Sequence, residues 1–158
     1  MFNKSDKKRN GFQLFGGQGR KGYDWWWHSF TAVDEITKKE KPFYVEFFIC
    51  NPKKAKDSPT FGQANQTPSY LMLNVGTWGK ENKGQFHRFF SWKDLKINKK
   101  GPIEIEADDC YLSEERMYGS VKVSEEDSTN HPEWMSDAGN MQFDLKIDKQ
   151  IAYNVGYG

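Results

Sequence analysis

Few cysteines, a balanced charge and the lack of a long apolar run limit what this sequence can encode. Its 158 residues include two Cys, and 23 Lys and Arg stand against 22 Asp and Glu, which gives a formal net charge of +1. Two Cys are too few for a disulfide scaffold or a zinc site, so we expect Cys50 and Cys110 to be reduced, buried thiols. A charge near zero creates no field that would recruit nucleic acid or an anionic membrane, so neither is an expected partner.

No run of residues approaches the roughly 20 apolar residues of a membrane helix, and the first residues lack the apolar core of a signal peptide. We therefore expect a cytoplasmic protein without an integral membrane segment. The three His lie far apart and outside any H-x-x-x-H or Cys/His motif. The Gly-rich stretch at residues 16–19 lacks the G-x-x-x-x-G-K-[ST] pattern of a phosphate-binding loop. No metal and no cofactor is expected.

Aromatic residues are abundant by contrast, at 16% of the chain, although only 36% of all residues are hydrophobic. They concentrate in Gly22–Asn51, which holds three of the six Trp and four of the twelve Phe in what reads as two strands and a turn. Trp25 and Trp27 point to one face of the first strand, while Trp26 points to the other. Both strands carry apolar bulk on both faces, so the pattern predicts a hairpin that is buried on both sides.

Later segments alternate more regularly between apolar and polar residues. The runs that begin at Ile103, Met117 and Met141 predict strands with one wet face. With about seven to nine strands and little helix, the chain is typical of a meandering antiparallel barrel or sandwich. Residues 1–21 are basic and Gly-rich and are interpreted as an N-terminal arm, which leaves residues 22–158 as one domain.

Four segments of the sequence carry a resemblance to a known family: YDWWWHSF, PFYVEFFICNP, ADDCYLSEERMYGSVKVS and HPEWMSDAGNMQFDLKI. They resemble the N-terminal half of the tocopherol cyclase-like proteins, which are related to the carotenoid hydratase and AttH group. The resemblance implies an all-β fold, an antiparallel lipocalin-like (calycin) β-barrel or strongly curved sandwich, with 22–158 as a single lipocalin-like domain. It also implies a hydrophobic, prenyl- or terpenoid-like ligand and cyclisation or hydration by proton transfer.

Members of that family have two such domains, and this chain is half as long. The resemblance therefore implies a second lipocalin-like domain or a homodimer partner. One face of the aromatic hairpin is then expected to line the interior, and the other to cover the neighbouring domain or subunit.

Glu46 and His28 are the first candidates for proton transfer. If the hairpin register sums to an even number, both lie on one face, where an apolar pocket would keep a carboxyl protonated. A structural His–Glu pair is the alternative. Asp109 is a further candidate acid. Because Asp108 precedes it directly, only one of the two can enter the interior of a strand, and an exposed turn is the alternative for both.

A set of aromatic rings is predicted to line a cavity for a flat or prenyl ligand, because barrels of about eight strands can hold one small molecule. The set comprises Trp25, Trp26, Trp27, Phe30, Tyr44, Phe48, Tyr70, Trp78 and Trp134. Two alternatives stay open for these rings, a solid core and a surface that stacks on sugar rings. The corresponding functions are a non-enzymatic binding module for a lipid or glycan, and an interaction domain that pairs with itself or with a second chain.

Overall fold

The computed structural model describes residues 11–12, 23–50, 70–77, 84–91, 94–130 and 136–148. Nine strands and one short helix lie within these ranges. In chain order they are β1 (Tyr23–Val33), β2 (Glu40–Cys50), β3 (Tyr70–Thr77), β4 (Gln85–Ser91), β5 (Leu95–Ile97), β6 (Glu104–Ala107), β7 (Cys110–Ser113), β8 (Arg116–Val123), α1 (Glu125–Asn130) and β9 (Gly139–Lys146).

The strands form two antiparallel sheets in which every strand pairs with its neighbours along the chain. The first sheet has the order β1-β2-β3-β4 and the second the order β5-β6-β7-β8-β9. The predicted all-β antiparallel meander with little helix is confirmed. The described strands do not close into a barrel, because no pairing joins the two sheets into one. Within the same ranges, no helix has both the length and the apolar character that a membrane span requires.

One hydrophobic core takes side chains from the inner faces of both sheets. The first sheet contributes Phe47 and Leu73, which are fully buried, and the second contributes Ile105 and Met117. Phe12, from the short described piece of the N-terminal arm, also belongs to this core. Burial of large aliphatic and aromatic side chains of this kind contributes roughly 1.5–3 kcal/mol for each. Both sheets therefore depend on the same packed interior.

The second sheet has the single wet face that alternation predicts. Met117 and Val121 of β8 point into the core, while Arg116 and Lys122 are exposed. Arg116 donates two hydrogen bonds to the carboxylate of Asp144 on the neighbouring strand, at 3.0 and 2.8 Å. Such cross-strand pairs occupy the outer face of this sheet, so its strands need no further cover.

The first hairpin departs from the prediction that both of its faces are buried. In β1 only Trp26 is buried, whereas Trp25 and Trp27 are 36% and 51% exposed. β1 is the outermost strand of its sheet, so only β2 lies beside it among the described strands. In β2, by contrast, Tyr44 and Phe47 are both buried although they point to opposite faces. The inner face of β1 is thus buried at Trp26 and half-buried at its other residues, whereas the outer face is exposed.

The polar connection before β9 contains a helix that alternation along the chain does not predict. Ser124 precedes α1, and its hydroxyl accepts a hydrogen bond from the backbone N–H of Asp127 at 3.0 Å. The same hydroxyl donates to the Asp127 carboxylate at 2.8 Å. This arrangement is close to a capping box, with Asp in the position that Glu usually takes. Local capping therefore stabilises a helix that has no buried residue.

Candidate functional site

The register of the first hairpin decides which side chains meet on each face. Trp27 lies opposite Glu46, and His28 lies opposite Val45. The turn fixes this register: the carboxylate of Asp34 accepts hydrogen bonds from the backbone N–H groups that follow it, at 3.0 Å from residue 36 and 2.7 Å from residue 37. These bonds also lower the pKa of the Asp34 carboxyl. The residue numbers of directly opposed partners, such as 27 and 46, therefore sum to an odd value and not to the even value that would place His28 and Glu46 on one face.

The predicted pairing of His28 with Glu46 is therefore wrong. Side chains of directly opposed residues share a face, and a shift of one residue moves a side chain to the other face. His28 shares the inner face with Trp26 and Phe30, whereas Glu46 shares the outer face with Trp27. An acid–base pair made of these two groups cannot form across this sheet.

A row of four side chains crosses the outer face of the first sheet from β1 to β4. Trp27, Glu46, Asn74 and His87 are successive cross-strand partners. Their exposure falls along the row, from Trp27, which is 51% exposed, through half-buried Glu46 to Asn74 and His87 at 7% and 8%. The row is thus exposed to solvent at β1 and buried at β4.

The buried end of this row, at β4, is covered in part by the segment before β9. The hydroxyl of Ser136 accepts a hydrogen bond from the backbone N–H of His87 at 3.1 Å. Asp137 pairs with Gln85 in both directions: its backbone N–H donates to the Gln85 carbonyl at 2.7 Å, and its carboxylate accepts the Gln85 backbone N–H at 2.9 Å. The outer edge of β4 is bonded to a loop in this way.

A hydrogen-bonded network joins three polar groups in the middle of this face. The hydroxyl of Tyr44 donates to Oδ1 of Asn74 at 3.2 Å, and Nδ2 of Asn74 donates to Oε2 of Glu46 at 3.2 Å. Burial raises the pKa of Tyr44 above its ordinary value, so the phenol keeps its proton and serves as a donor. The amide of Asn74 thus holds the Glu46 carboxyl in one orientation beside Trp27.

Aromatic rings surround this network on the β1 side. Tyr23 stacks on Trp25 with ring centroids 5.5 Å apart, and on Phe48 with centroids 5.6 Å apart. Trp27 meets Tyr44 nearly at right angles, with an interplanar angle of 77° and centroids 6.2 Å apart. We call Tyr23, Trp25, Trp27, Tyr44 and Phe48 the aromatic platform. Three of its rings, Tyr23, Trp25 and Trp27, are exposed, and the platform adjoins the carboxyl group of Glu46 and the amide of Asn74.

The structure divides the predicted ligand-binding set between two environments. Trp25, Trp27, Tyr44 and Phe48 belong to the platform. Trp26 belongs to the hydrophobic core and Phe30 packs against that core, as the alternative of a solid core predicts. The side chain of Tyr70, and the residues Trp78 and Trp134, lie outside the described part of the chain.

Asp109 lies in the two-residue turn between β6 and β7, away from the platform. It contacts the guanidinium of Arg88 together with Asp108, which adopts a left-handed φ of 54°. Burial acts to raise its pKa, but hydrogen bonds from Ser120 and Arg88 and the charge of Arg88 lower it below the ordinary value. Both carboxylates point to one Arg, so the turn alternative is confirmed and neither side chain enters the interior.

Both cysteines are buried thiols outside any disulfide, as predicted. Burial raises the pKa of Cys110 to about 11, which leaves its thiol protonated and unreactive at neutral pH. Within the described ranges, no group of three or more His, Cys, Asp or Glu side chains comes together as a candidate metal site.

Tyr23, Asn74 and His87 are residues of this face that sequence patterns did not indicate. His87 lies in FHRFF, where alternation shows only that it points away from Arg88. Its position next to Asn74 follows from the pairing of β3 with β4. No protein-family model, curated protein or solved structure matches this chain.

Proposed function

We propose that this domain binds a small amphiphilic molecule on the outer face of the first sheet. The apolar part of the ligand lies on the aromatic platform, and its polar end reaches the network of Tyr44, Asn74 and Glu46. The observation that carries this proposal is the exposure of Trp25 and Trp27 on a strand whose intervening Trp26 is buried. The core holds the strand in place, while the neighbouring rings are left on the surface.

Exposed aromatic rings that adjoin one another are characteristic of binding surfaces. Tyr23 is 40% exposed and stacks on Trp25, which is itself 36% exposed. Single apolar residues on a surface need no explanation, but adjoining apolar side chains rimmed by polar groups mark ligand or partner sites. Trp and Tyr also lose little conformational entropy on binding, since their rings turn about only two side-chain torsions. The platform has both properties.

The resemblance to tocopherol cyclase-like proteins supports a prenylated or terpenoid ligand. A prenyl chain is flexible and apolar, and it can follow the row of rings from Trp27 to Tyr23. The polar head of such a molecule then meets Glu46. A lipocalin-like architecture with a second domain, or a homodimer, belongs to the same proposal.

Any acid–base chemistry at this site is assigned to Glu46, with Tyr44 and Asn74 as its neighbours in place of His28. Cyclisation or hydration of an alkene starts with transfer of a proton to carbon, which requires an acid close to the ligand. Glu46 is half-buried beside Trp27, and its Oε2 accepts the Asn74 amide. Glu46→Gln keeps this shape without an acidic proton, so turnover of a prenylated substrate should be abolished while folding is retained. Equal turnover in the variant would refute the assignment.

Binding is tested by titration of tryptophan fluorescence with a long-chain prenyl alcohol. Trp27→Ala and Trp25→Ala should each weaken binding by about tenfold, because loss of a stacked or apolar ring contact costs on the order of 1–1.5 kcal/mol. Val33→Ala is the matched control, since Val33 lies on the same face of β1 and is 58% exposed. Unchanged affinity in both Trp variants would refute the proposal.

A glycan is the second candidate ligand. Exposed Trp rings with a carboxylate and an amide beside them also suit a sugar, whose apolar face stacks on the ring while its hydroxyls bond the polar groups. The same titration with oligosaccharides, in place of the prenyl alcohol, decides between the two ligands. Binding of oligosaccharides alone would replace the prenyl ligand by a glycan at the same platform.

Pairing of the platform with a second copy of the chain is the third candidate. It predicts a dimer whose dissociation constant rises in Trp27→Ala. Sedimentation velocity at several protein concentrations measures this, and a strictly monomeric species would exclude it.

A further inference from the structure

We infer that the apolar chain of the ligand continues from the aromatic platform across β3 to β4, over Met72 and Phe89. This inference rests on the proposed function for the location of the site. It adds the course of the chain over the face and the residue that selects its length. The observation that carries it is an unbroken row of apolar side chains that crosses all four strands of the first sheet.

This apolar row takes one side chain from each strand of the sheet. Its members are successive cross-strand partners, namely Trp25, Phe48, Met72 and Phe89. Each of them lies two positions along its strand from a member of the row of Trp27, Glu46, Asn74 and His87, so both rows are on the outer face. Met72 and Phe89 therefore extend the surface that Trp25 and Phe48 begin.

None of the four side chains of the apolar row is fully buried. Trp25 is 36% exposed, and Phe48, Met72 and Phe89 are half-buried. Leu71 and Leu73, which flank Met72 in β3 and point to the core, are by contrast fully buried. The apolar row thus keeps surface outside the core for contact with a ligand.

The outer face of the second sheet carries charged side chains instead. Arg116 pairs with Asp144, and Nζ of Lys96 donates to Oε2 of Glu106 at 2.9 Å. A sheet with one face in water normally has polar residues on that face. Adjoining apolar side chains that are rimmed by polar groups mark a ligand or partner site. The apolar row therefore indicates a binding surface that the second sheet lacks on its described outer face.

The dimensions of the apolar row suit a hydrocarbon chain. Three strand spacings make it about 14 Å long, and the separation of alternate residues makes it about 7 Å wide, which gives an area on the order of 100 Å². A stable protein–protein interface takes about 800 Å² on each partner. The row is therefore too small to hold a protein surface by itself, whereas one extended chain covers it along its length.

The position of the head group gives the chain a direction. Glu46 lies two residues from Phe48 on the same face, so a head group at Glu46 places the start of the chain between Trp25 and Phe48. Met72 follows, with an unbranched side chain that adapts to the shape of its contacts. The apolar row ends at Phe89, because β4 is the last strand of this sheet. Phe89 is thus the residue that selects a long chain over a short one.

The test compares geraniol, which has two isoprene units, with farnesol, which has three. Binding to the wild-type protein is followed by titration of tryptophan fluorescence. Farnesol should bind at least about tenfold more tightly than geraniol, because each further methylene group that leaves water adds to the affinity. Equal affinities of the two alcohols would overturn the inference.

Two variants assign this effect to the far part of the apolar row. Phe89→Ala should reduce the preference for farnesol to about threefold or less. Met72→Gln keeps the length of the side chain but places an amide under the middle of the chain, so it should weaken farnesol binding by about tenfold. Unchanged farnesol binding in both variants would overturn the inference.

Phe43→Ala is the matched control for loss of a half-buried ring. Phe43 lies on the other face of β2 and stacks on Phe30 with centroids 6.0 Å apart. This variant should keep both the farnesol affinity and the preference over geraniol. Circular dichroism of each variant confirms that it is folded.

Nuclear Overhauser effects in the wild-type protein give a measurement that needs no variant. The terminal methyl groups of bound farnesol should show contacts with the methyl group of Met72 and the ring of Phe89. Contacts of these methyl groups with Trp25 and Trp27 alone would overturn the inference.

Further outcomes separate this inference from the proposed function. Farnesol binding that weakens in Trp27→Ala but in neither Met72→Gln nor Phe89→Ala would overturn the inference alone. Binding of dodecanol without binding of farnesol would refute the prenyl ligand and keep the apolar row as a chain site. Binding of neither alcohol would refute both. A dimer whose dissociation constant rises in Met72→Gln would assign the row to a second copy of the chain and overturn the inference.

Discussion

Arg88 and Arg116 each contact an aromatic ring and a carboxylate, and the two side chains differ mainly in how far they are buried. The Arg88 guanidinium lies 4.6 Å from the ring centroid of Phe90, and that of Arg116 lies 5.0 Å from Tyr118. Each also bonds to carboxylates, but the Arg88 side chain is 26% exposed and the Arg116 side chain 50%. Arg88 further donates to the Ser120 carbonyl at 3.0 Å, and so links β4 to the second sheet.

Replacement of each Arg by Met removes the charge and keeps an apolar stem. For Arg116→Met, loss of an exposed pair with Asp144 should cost about 0–1 kcal/mol of unfolding free energy. Arg88→Met removes one donor from the Ser120 carbonyl and one from the carboxylate of Asp109, which keeps its hydrogen bond from the Ser120 hydroxyl. A charge-assisted hydrogen bond contributes about 1.5–3 kcal/mol. Because Asp108 and Asp109 are themselves well exposed, solvent screening lowers the expected cost to about 2 kcal/mol.

Urea unfolding followed by far-UV circular dichroism measures both variants, with the slope of the transition as a check that the unfolded states are comparable. A loss for Arg88→Met no larger than that for Arg116→Met would refute the argument that burial of Arg88 strengthens its contacts.

The pH dependence of stability gives an independent measurement on the same contact. Hydrogen bonds in the folded state lower the pKa of Asp109 below its ordinary value of 3.8. The carboxylate therefore stabilises the fold above that ordinary value, and this contribution is lost as the pH falls through the lowered pKa. In Arg88→Met the acid-dependent part of the stability should shrink, since Arg88 is one of its causes. An unchanged pH profile would contradict this.

Three further predictions follow from packing and register. Gly119→Ala should lower the free energy of unfolding by about 1–3 kcal/mol, because a Cβ there would lie 2.7 Å from Sγ of Cys110. Cys110→Ala in the same chain should restore part of this free energy. Unchanged stability in urea would contradict the overpacking. With the other Cys replaced by Ala, the Cys110 thiol should react with a thiol reagent at pH 8 only in denaturant, because burial raises its pKa to about 11, and fast reaction in the folded state would contradict its burial. In a background without native Cys, the double variant Trp27→Cys, Glu46→Cys should form a cross-strand disulfide on oxidation, because the two positions are directly opposed. The double variant His28→Cys, Glu46→Cys should not. The reverse result would refute the register.

Much of the fold follows from local sequence. The alternation from Met117 to Val123 predicts a strand with one wet face, and the structure confirms it because successive side chains of any strand point to opposite faces. The candidate site is different, because its parts come from three strands. Alternation alone places Glu46 opposite in direction to Phe47, but it does not show which β1 residue lies across from it.

Tertiary structure decided which residues share the candidate face. Sequence alone determined that Trp25 and Trp27 point away from Trp26, and that the chain builds an antiparallel β fold around few, large rings. The turn at Asp34 then set a register that brings Trp27, and not His28, to Glu46. Sheet order left β1 at an edge, so one row of rings is exposed. The physical reason is that strand periodicity is local, whereas a shift of one residue between strands exchanges their faces.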